Sequence, residues 1–235
     1  MAMPCLLNNM KVSVIIPSGG LGKRINTPLP KQYLKIYGKE IIAYTLITFQ
    51  KIKEINEIVI AADPFYFKLL QKIIKKYDLS KVSFLVEGGS ERQYSVENAV
   101  KLINPSSDNI VLVHDAVRPL VSPKIIKDAI NASIEHGNAV VAIKAKDTLL
   151  KGTDFVSKYL DRKETFYVQT PQVFNGTDIQ KAFYKANKDN FLGTDESMLV
   201  KRCGKKIFIV EGSSLNFKIT SKDDLLLFKK LVKPK

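Results

Sequence analysis

The chain has no tryptophan, two cysteines and two histidines among its 235 residues, and only five of its 37 basic residues are arginine. Each shortage excludes something. Cys5 and Cys203 stand alone without CxxC spacing, which rules out a disulfide framework and suits a reducing cytoplasm. His114 and His136 supply no Ser-His-Asp or Cys-His constellation. No run of 18 apolar residues is present, so no membrane partner is expected. The opening MAMPCLLNNMK lacks a charged n-region followed by a long apolar stretch, so it does not read as a secretory signal. Residues 1–11 read as a flexible tail ahead of a single domain over 12–235. The scarcity of arginine also bears on the net charge of +14. Such a charge invites a nucleic-acid reading, but planar, bidentate recognition of bases and phosphates favours arginine. The lysines are spread along the whole chain instead of gathering with aromatics. A solvated lysine-rich surface is expected, with no nucleic-acid partner, and its field draws in anionic substrates.

What is present is rhythm. Short β-branched runs at Val12–Pro17, Glu57–Ala61, Val82–Glu87, Ile110–His114 and Ala139–Ile143 alternate with helical spacing over 40–50, 64–77, 92–103 and 122–136. Pro64 and Pro123 suit first helical turns, and Ser122 suits a cap. Repeated β-α-β implies an α/β fold with a parallel sheet and helices on both faces. Residues 144–170 break the pattern and read as a hairpin or arm leaving the sheet. Helices are expected again at 178–188, 196–203 and 223–231, with strands at Lys206–Glu211 and Asn216–Thr220.

In such sheets ligands collect beyond the carboxyl ends of the strands, and the unusual residues fall there. The first strand runs into Ser18, Gly19, Gly20, Gly22 and Arg24, with Lys31 behind a proline. This is neither GxxxxGK[ST] nor GxGxxG. Glycines at this place let backbone N–H groups approach a polyphosphate, and Arg24 and Lys31 bring charge to it. An ordinary βα turn with surface cations fits the same residues. Further along come Gly88, Gly89, Arg92 and Ser95 after the third strand, then Asp115 and Arg118 after the fourth.

Taken in order, PSGGLGKR…PLPKQYL, EGGSERQYSV, VLVHDAVRP, KDT, DR…QTPQVF, GTDES and EGSSLNFKIT resemble the 2-C-methyl-D-erythritol 4-phosphate cytidylyltransferase family over about residues 12–231. Ribitol-5-phosphate cytidylyltransferase shares most of these motifs. The resemblance implies a Rossmann-like, doubly wound, mostly parallel sheet of nucleotidyltransferase type with a protruding β-arm at about 144–170. It also implies transfer of a cytidylyl group from CTP to a polyol phosphate with release of pyrophosphate and the help of Mg²⁺. The implied roles follow. Arg24, Lys31 and Lys218 neutralise the reacting phosphates. Ser18, Gly19, Gly20, Gly22, Gly88, Gly89, Arg92 and Ser95 hold the nucleotide, and the Ser95 hydroxyl reads cytosine. Asp115 holds the metal or polyol hydroxyls, and Arg118 stands nearby. Thr148, Arg162, Thr170 and Thr194 bind the acceptor, Thr148 and Arg162 from an arm that reaches into a second subunit, which makes the enzyme a homodimer. Leu215 stands where relatives often carry an acidic or polar residue, and His114 is expected to pack under its loop. A non-enzymatic alternative is a basic RNA- or nucleotide-binding protein.

Overall fold

The computed structural model describes residues 10–20 and 29–234. In chain order the first half holds β1 (Lys11–Pro17), the two-residue strands β2 (Lys35–Ile36) and β3 (Lys39–Glu40), α1 (Ile41–Gln50), β4 (Glu57–Ala62), α2 (Phe67–Lys76), β5 (Val82–Glu87), α3 (Arg92–Ile103), β6 (Asn109–Val113), α4 (Pro123–His136) and β7 (Asn138–Lys144). The second half holds β8 (Leu149–Gly152), β9 (Val156–Leu160), β10 (Phe166–Asn175), α5 (Gly176–Lys188), α6 (Glu196–Arg202), β11 (Phe208–Glu211) and α7 (Lys222–Leu231). Seven strands form one sheet in the order β11-β7-β10-β6-β1-β4-β5. Only β10 runs against the others, between β6 and β7.

The strands carry unbroken apolar runs because both faces are covered. Along β1, Val12, Val14 and Ile16 pack on the side of α1, α2 and α4, while Ile15 packs on the side of α3, α5 and α6. On β6 the same alternation sends Ile110 and Leu112 one way and Val111 and Val113 the other. Local chemistry sets the helix ends as expected at α4, where the Ser122 hydroxyl accepts from the Ile125 N–H at 3.2 Å and Pro123 opens the first turn.

Four expectations are corrected. Pro64 opens a separate one-turn 3-10 segment (Pro64–Tyr66) and α2 starts only at Phe67. The arm is shorter than 144–170: β8 and β9 form a two-stranded sheet of their own, but Phe166 already pairs with Lys144 in the main sheet. No strand forms at 216–220; Ile219 makes one backbone bond, to the Val117 carbonyl, so no ladder exists to propagate. Of the expected tail, Lys11 is in β1; residues 1–9 lie outside the described residues.

Candidate active site

Three parallel strands, β1, β5 and β6, end at one edge of the sheet, and a cavity of about 360 Å³ opens there. Its first wall is Ser18, Gly19 and Gly20 with Lys31 and Gln32. Gln32 fixes that loop. Its side-chain amide donates to the Ser18 carbonyl at 2.7 Å and to the Gly20 carbonyl at 3.1 Å. Lys31 sits on a single 3-10 turn (Lys31–Tyr33) and is 9% exposed. Beneath it Tyr33 is buried against Tyr66, and burial pushes its phenol up to about 12.

The second wall is the turn from β5 into α3, with Gly89, Ser90, Glu91, Arg92 and Ser95. The Ser95 hydroxyl accepts from the Gly89 N–H at 3.0 Å and donates to the Glu91 carbonyl at 3.1 Å. Its one proton is thereby used inside the loop, and what remains for a ligand is a lone pair. Gly88 lies beside it: a Cβ there would come within 3.3 Å of the Ser95 oxygen.

Asp115, just past the end of β6, forms the floor and gathers the cations. Arg92 Nε lies 3.2 Å from Oδ1, while Arg118 Nε at 3.1 Å and Lys218 Nζ at 3.2 Å share Oδ2. Burial pushes this carboxyl up, but Lys218, Arg92 and Arg118 outweigh it and hold the group far below the usual carboxylate range. Arg92 is itself held between two carboxylates, since its Nη1 lies 2.7 Å from both oxygens of Glu196. Burial lowers the Arg92 pKa, yet these partners more than reverse it, so the guanidinium keeps its proton.

A chain of hydrogen bonds supports Asp115 from below. The Arg118 carbonyl accepts only, so His114 Nε2, 3.2 Å away, carries the proton and donates to it. His114 Nδ1 therefore accepts from the Thr170 hydroxyl at 3.1 Å, and the Thr170 oxygen accepts from the Asp115 N–H at 3.1 Å. His114 is fully buried against Phe49, and burial lowers its pKa to about 3. It is a neutral packing residue, as its position suggested.

The structure thus brings Ser18, Gly19, Gly20, Lys31, Gly89, Arg92, Ser95, Asp115 and Lys218 around one cavity. Arg118 and Thr170 stand behind Asp115, Arg118 also donating to the Asn216 carbonyl at 2.8 Å. Thr148, Arg162 and Thr194 are exposed residues that do not line the cavity of this chain, and Leu215 is 55% exposed. Gly22 and Arg24 lie outside the described residues. Sequence reasoning passed over three residues: Gln32, Glu196 and Asn216. Gln32 is inside PKQYL and Glu196 inside GTDES, so the motifs held them, but nothing in the residue types marked them as partners of a distant loop. Asn216, fully buried, donates to the Thr170 carbonyl at 2.8 Å and to Gln169 at 3.1 Å, hanging the Lys218 segment on β10.

A mostly parallel α/β sheet with cations and glycine loops converging at its carboxyl edge defines an enzyme of the nucleotidyltransferase class. The family model for IspD, 2-C-methyl-D-erythritol 4-phosphate cytidylyltransferase, matches residues 12–233, and the chain belongs to that family. It is 42% identical over 222 residues to the 2-C-methyl-D-erythritol 4-phosphate cytidylyltransferase of Clostridium acetobutylicum, covering 93% of this chain and 96% of the relative. To that of Syntrophus aciditrophicus it is 39% identical over 226 residues, covering 95% and 96%. The crystal structure of the 2-C-methyl-D-erythritol 4-phosphate cytidylyltransferase of Francisella tularensis superposes with a TM-score of 0.81 at 31% identity, over 94% of this chain and all of that one. The 4-diphosphocytidyl-2C-methyl-D-erythritol synthase of Anaerococcus prevotii gives a TM-score of 0.83 at 28% identity, over 96% and 100%.

Proposed function

We propose that the protein converts CTP and 2-C-methyl-D-erythritol 4-phosphate to 4-diphosphocytidyl-2-C-methyl-D-erythritol and pyrophosphate, a step of non-mevalonate isoprenoid biosynthesis. The observation that carries this is the meeting of Lys31, Arg92 and Lys218 with Asp115 at one cavity. An acceptor phosphate oxygen attacks the α-phosphorus of CTP, the new P–O bond forms, and the bond to the β-phosphate oxygen breaks to release pyrophosphate. The nucleophile is already ionised near neutral pH, so no general base is required. Positioning and charge carry the reaction. Lys31, Lys218 and Arg24 are the groups assigned to the phosphates. Ser18, Gly19, Gly20 and Gly22 take the triphosphate along the backbone. Gly88, Gly89 and Ser95 take the nucleoside side, where the remaining lone pair of Ser95 suits the amino group of cytosine, and Arg92 belongs to the nucleotide-binding set at the start of α3.

The acceptor is assigned to Asp115, Thr148, Arg162 and Thr194, with Arg118 and Thr170 supporting that set from behind Asp115. Arg162 is a bidentate phosphate holder, supplied with Thr148 from the β8–β9 hairpin region of a second copy. That hairpin exposes Leu150, Phe155, Val156 and Tyr159, with Phe155 at 88% and Tyr159 at 68%, an apolar surface for a homodimer partner to cover. As for Mg²⁺, no three His, Cys, Asp or Glu side chains gather into a metal cluster among the described residues. Both oxygens of Asp115 already face cations. This donor set fits an ion that the triphosphate brings with it, for Mg²⁺ needs only one or two carboxylates beside substrate phosphates. Asp115 is the residue that would hold it, and the ion would add to the neutralisation of the phosphate charge.

The test is pyrophosphate release across CTP, UTP, GTP and ATP, each with methylerythritol phosphate and ribitol phosphate. CTP with methylerythritol phosphate is expected to lead by a wide margin. A preference for ribitol phosphate, or equal use of UTP, overturns the assignment.

A further inference from the structure

Glu196 belongs to no strand end and lines no part of the cavity, yet it is 1% exposed and ionically tied to a residue that does. It stands in the first turn of α6, after the Asp195 cap, 104 residues from its partner Arg92. Both carboxylate oxygens grip the same nitrogen, Nη1, at 2.7 Å, while Asp115 holds Nε at 3.2 Å. A planar guanidinium fixed at two of its three nitrogens has no rotational freedom left. Among the described residues Nη2 has no hydrogen-bond partner, so its two protons are the donors that Arg92 retains.

A second set of bonds ties the same two segments together. Gln93, the next residue of α3, donates to the Phe191 carbonyl at 3.1 Å and accepts from the Gly193 N–H at 2.8 Å. The first turn of α3 is therefore stitched to residues 191–196 by side chains at two successive positions. Removing the Glu196 charge leaves Asp115 as the only carboxylate paired with Arg92 among the described residues, and Asp115 already serves two other cations.

We propose that Glu196 is a positioning residue: by clamping Nη1 of Arg92 it fixes the guanidinium against Asp115 and reserves the Nη2 protons for a phosphate oxygen of the nucleotide. The proposal rests on the reading of the cavity as a triphosphate site. Burial raises the Glu196 pKa and Arg92 opposes that rise, as a carboxylate sunk beside a permanent cation should behave.

Four proteins test it: wild type, Glu196→Gln, Arg92→Gln and the double variant. Inorganic triphosphate affinity is measured on each by calorimetry, and pyrophosphate release from CTP is measured alongside. Glu196→Gln is expected to weaken triphosphate binding about 10- to 100-fold in the wild-type background, and less than about twofold once Arg92 is gone. Glu196→Asp, which keeps the charge, is expected to recover part of the loss. A merely structural residue would cost the same factor in both backgrounds; that result, or no loss in the wild-type background, overturns the proposal. If Glu196→Gln does not give a cooperative melt, Glu196→Asp takes its place in the same cycle under the same criterion. Wild type that binds triphosphate but releases no pyrophosphate from CTP would sink the proposed reaction and leave the cycle valid. Equal losses in both backgrounds with normal pyrophosphate release would sink the cycle alone.

Discussion

Replacing Gly20 by alanine separates the two meanings a glycine loop can have. If the loop is only a turn, alanine is harmless wherever the backbone accepts it. If the glycine clears space for a phosphate, alanine harms only the liganded state. A Cβ built on Gly20 meets no described atom within 4 Å, and the residue does not need the left-handed backbone region. The free protein should therefore tolerate Gly20→Ala, with stability unchanged or raised by about 0.5 kcal/mol through the stiffer unfolded chain. A phosphate oxygen approaching the backbone N–H groups would meet the new methyl. Losing one charge-assisted hydrogen bond costs about 1.5–3 kcal/mol, which is about 10- to 150-fold in CTP affinity. Calorimetric titration with CTP and a melting curve on the same preparation measure both quantities. Gly89→Ala is the contrast, because its Cβ would run into the Cβ of Tyr94, with the Tyr94 carbonyl carbon at 3.0 Å. There the protein itself must move. A cost of about 1–3 kcal/mol is expected, lowering the melting temperature on the order of 5 °C as well as the affinity. Should Gly20→Ala bind CTP within twofold of wild type, the loop is a turn and nothing more.

Other outcomes follow from the same geometry. Lys31→Ala is expected to lower kcat by about 100-fold or more, as removal of one donor to a growing negative charge does, with a smaller change in CTP affinity; an unchanged kcat refutes its role at the phosphorus. Mixing Lys31→Ala chains with Arg162→Ala chains should restore part of the activity through hybrid sites, and no rescue after proven subunit exchange counts against a shared site. Asp224 closes a capping box on α7, accepting from Thr220 N–H at 2.7 Å and Ser221 N–H at 2.8 Å. Burial alone would raise its pKa, but these donors and the Thr220 hydroxyl lower it. Its contribution, about 1 kcal/mol for a helix cap, is thus present above the ordinary aspartate value of about 3.9 and is lost as pH falls through the depressed one. The urea midpoint of wild type should drop below pH ~4, and Asp224→Asn should show a lower midpoint at pH 7 with a flatter acid limb.

The sheet was legible because its strands obey a local rule. Val12–Pro17 and Ile110–Val113 are β-branched runs closed by punctuation, and the helices between them show their apolar spacing. β10 was not legible. Its sequence, FYVQTPQVFN, carries a proline and two glutamines in a central strand, which local propensity disfavours. Tertiary pairing explains them. The register of β10 on β7 shifts between Val168 and Gln172, a break that contains Pro171, and the Gln172 side chain accepts from the Ser197 N–H at 3.0 Å. The strand expected at 216–220 fails for the converse reason. NFKIT has strand-like composition, but the segment is held by bonds from the side chains of Asn216 and Arg118 and by one backbone bond to Val117, so it joins no ladder. Site residues announced by backbone need or by charge at a strand end, such as Gly89, Arg92 and Asp115, could be found in one dimension. Gln32, Glu196 and Asn216 could not, since each acts through a partner 12 to 104 residues away that the fold alone supplies.

The arrangement of charge also explains why so few arginines and histidines suffice. Arg92, Arg118, Lys31 and Lys218 stand near two buried carboxylates, Asp115 and Glu196, so the site carries a positive excess. Asp115 keeps Arg92, Arg118 and Lys218 from repelling one another apart, and its own charge is secured by those three. The two arginines are each pinned at two nitrogens and act as fixed frame. Lys218 reaches the cavity on a flexible stem with its side chain 35% exposed, and Lys31 lines the same cavity from the Lys31–Tyr33 turn. Lysine is the better choice where a point charge must follow phosphate oxygens as bonds form and break, and arginine where geometry must not change. In the proposed reaction that division would stabilise a phosphorus centre gathering negative charge at its transition state, a role that calls for no titrating histidine.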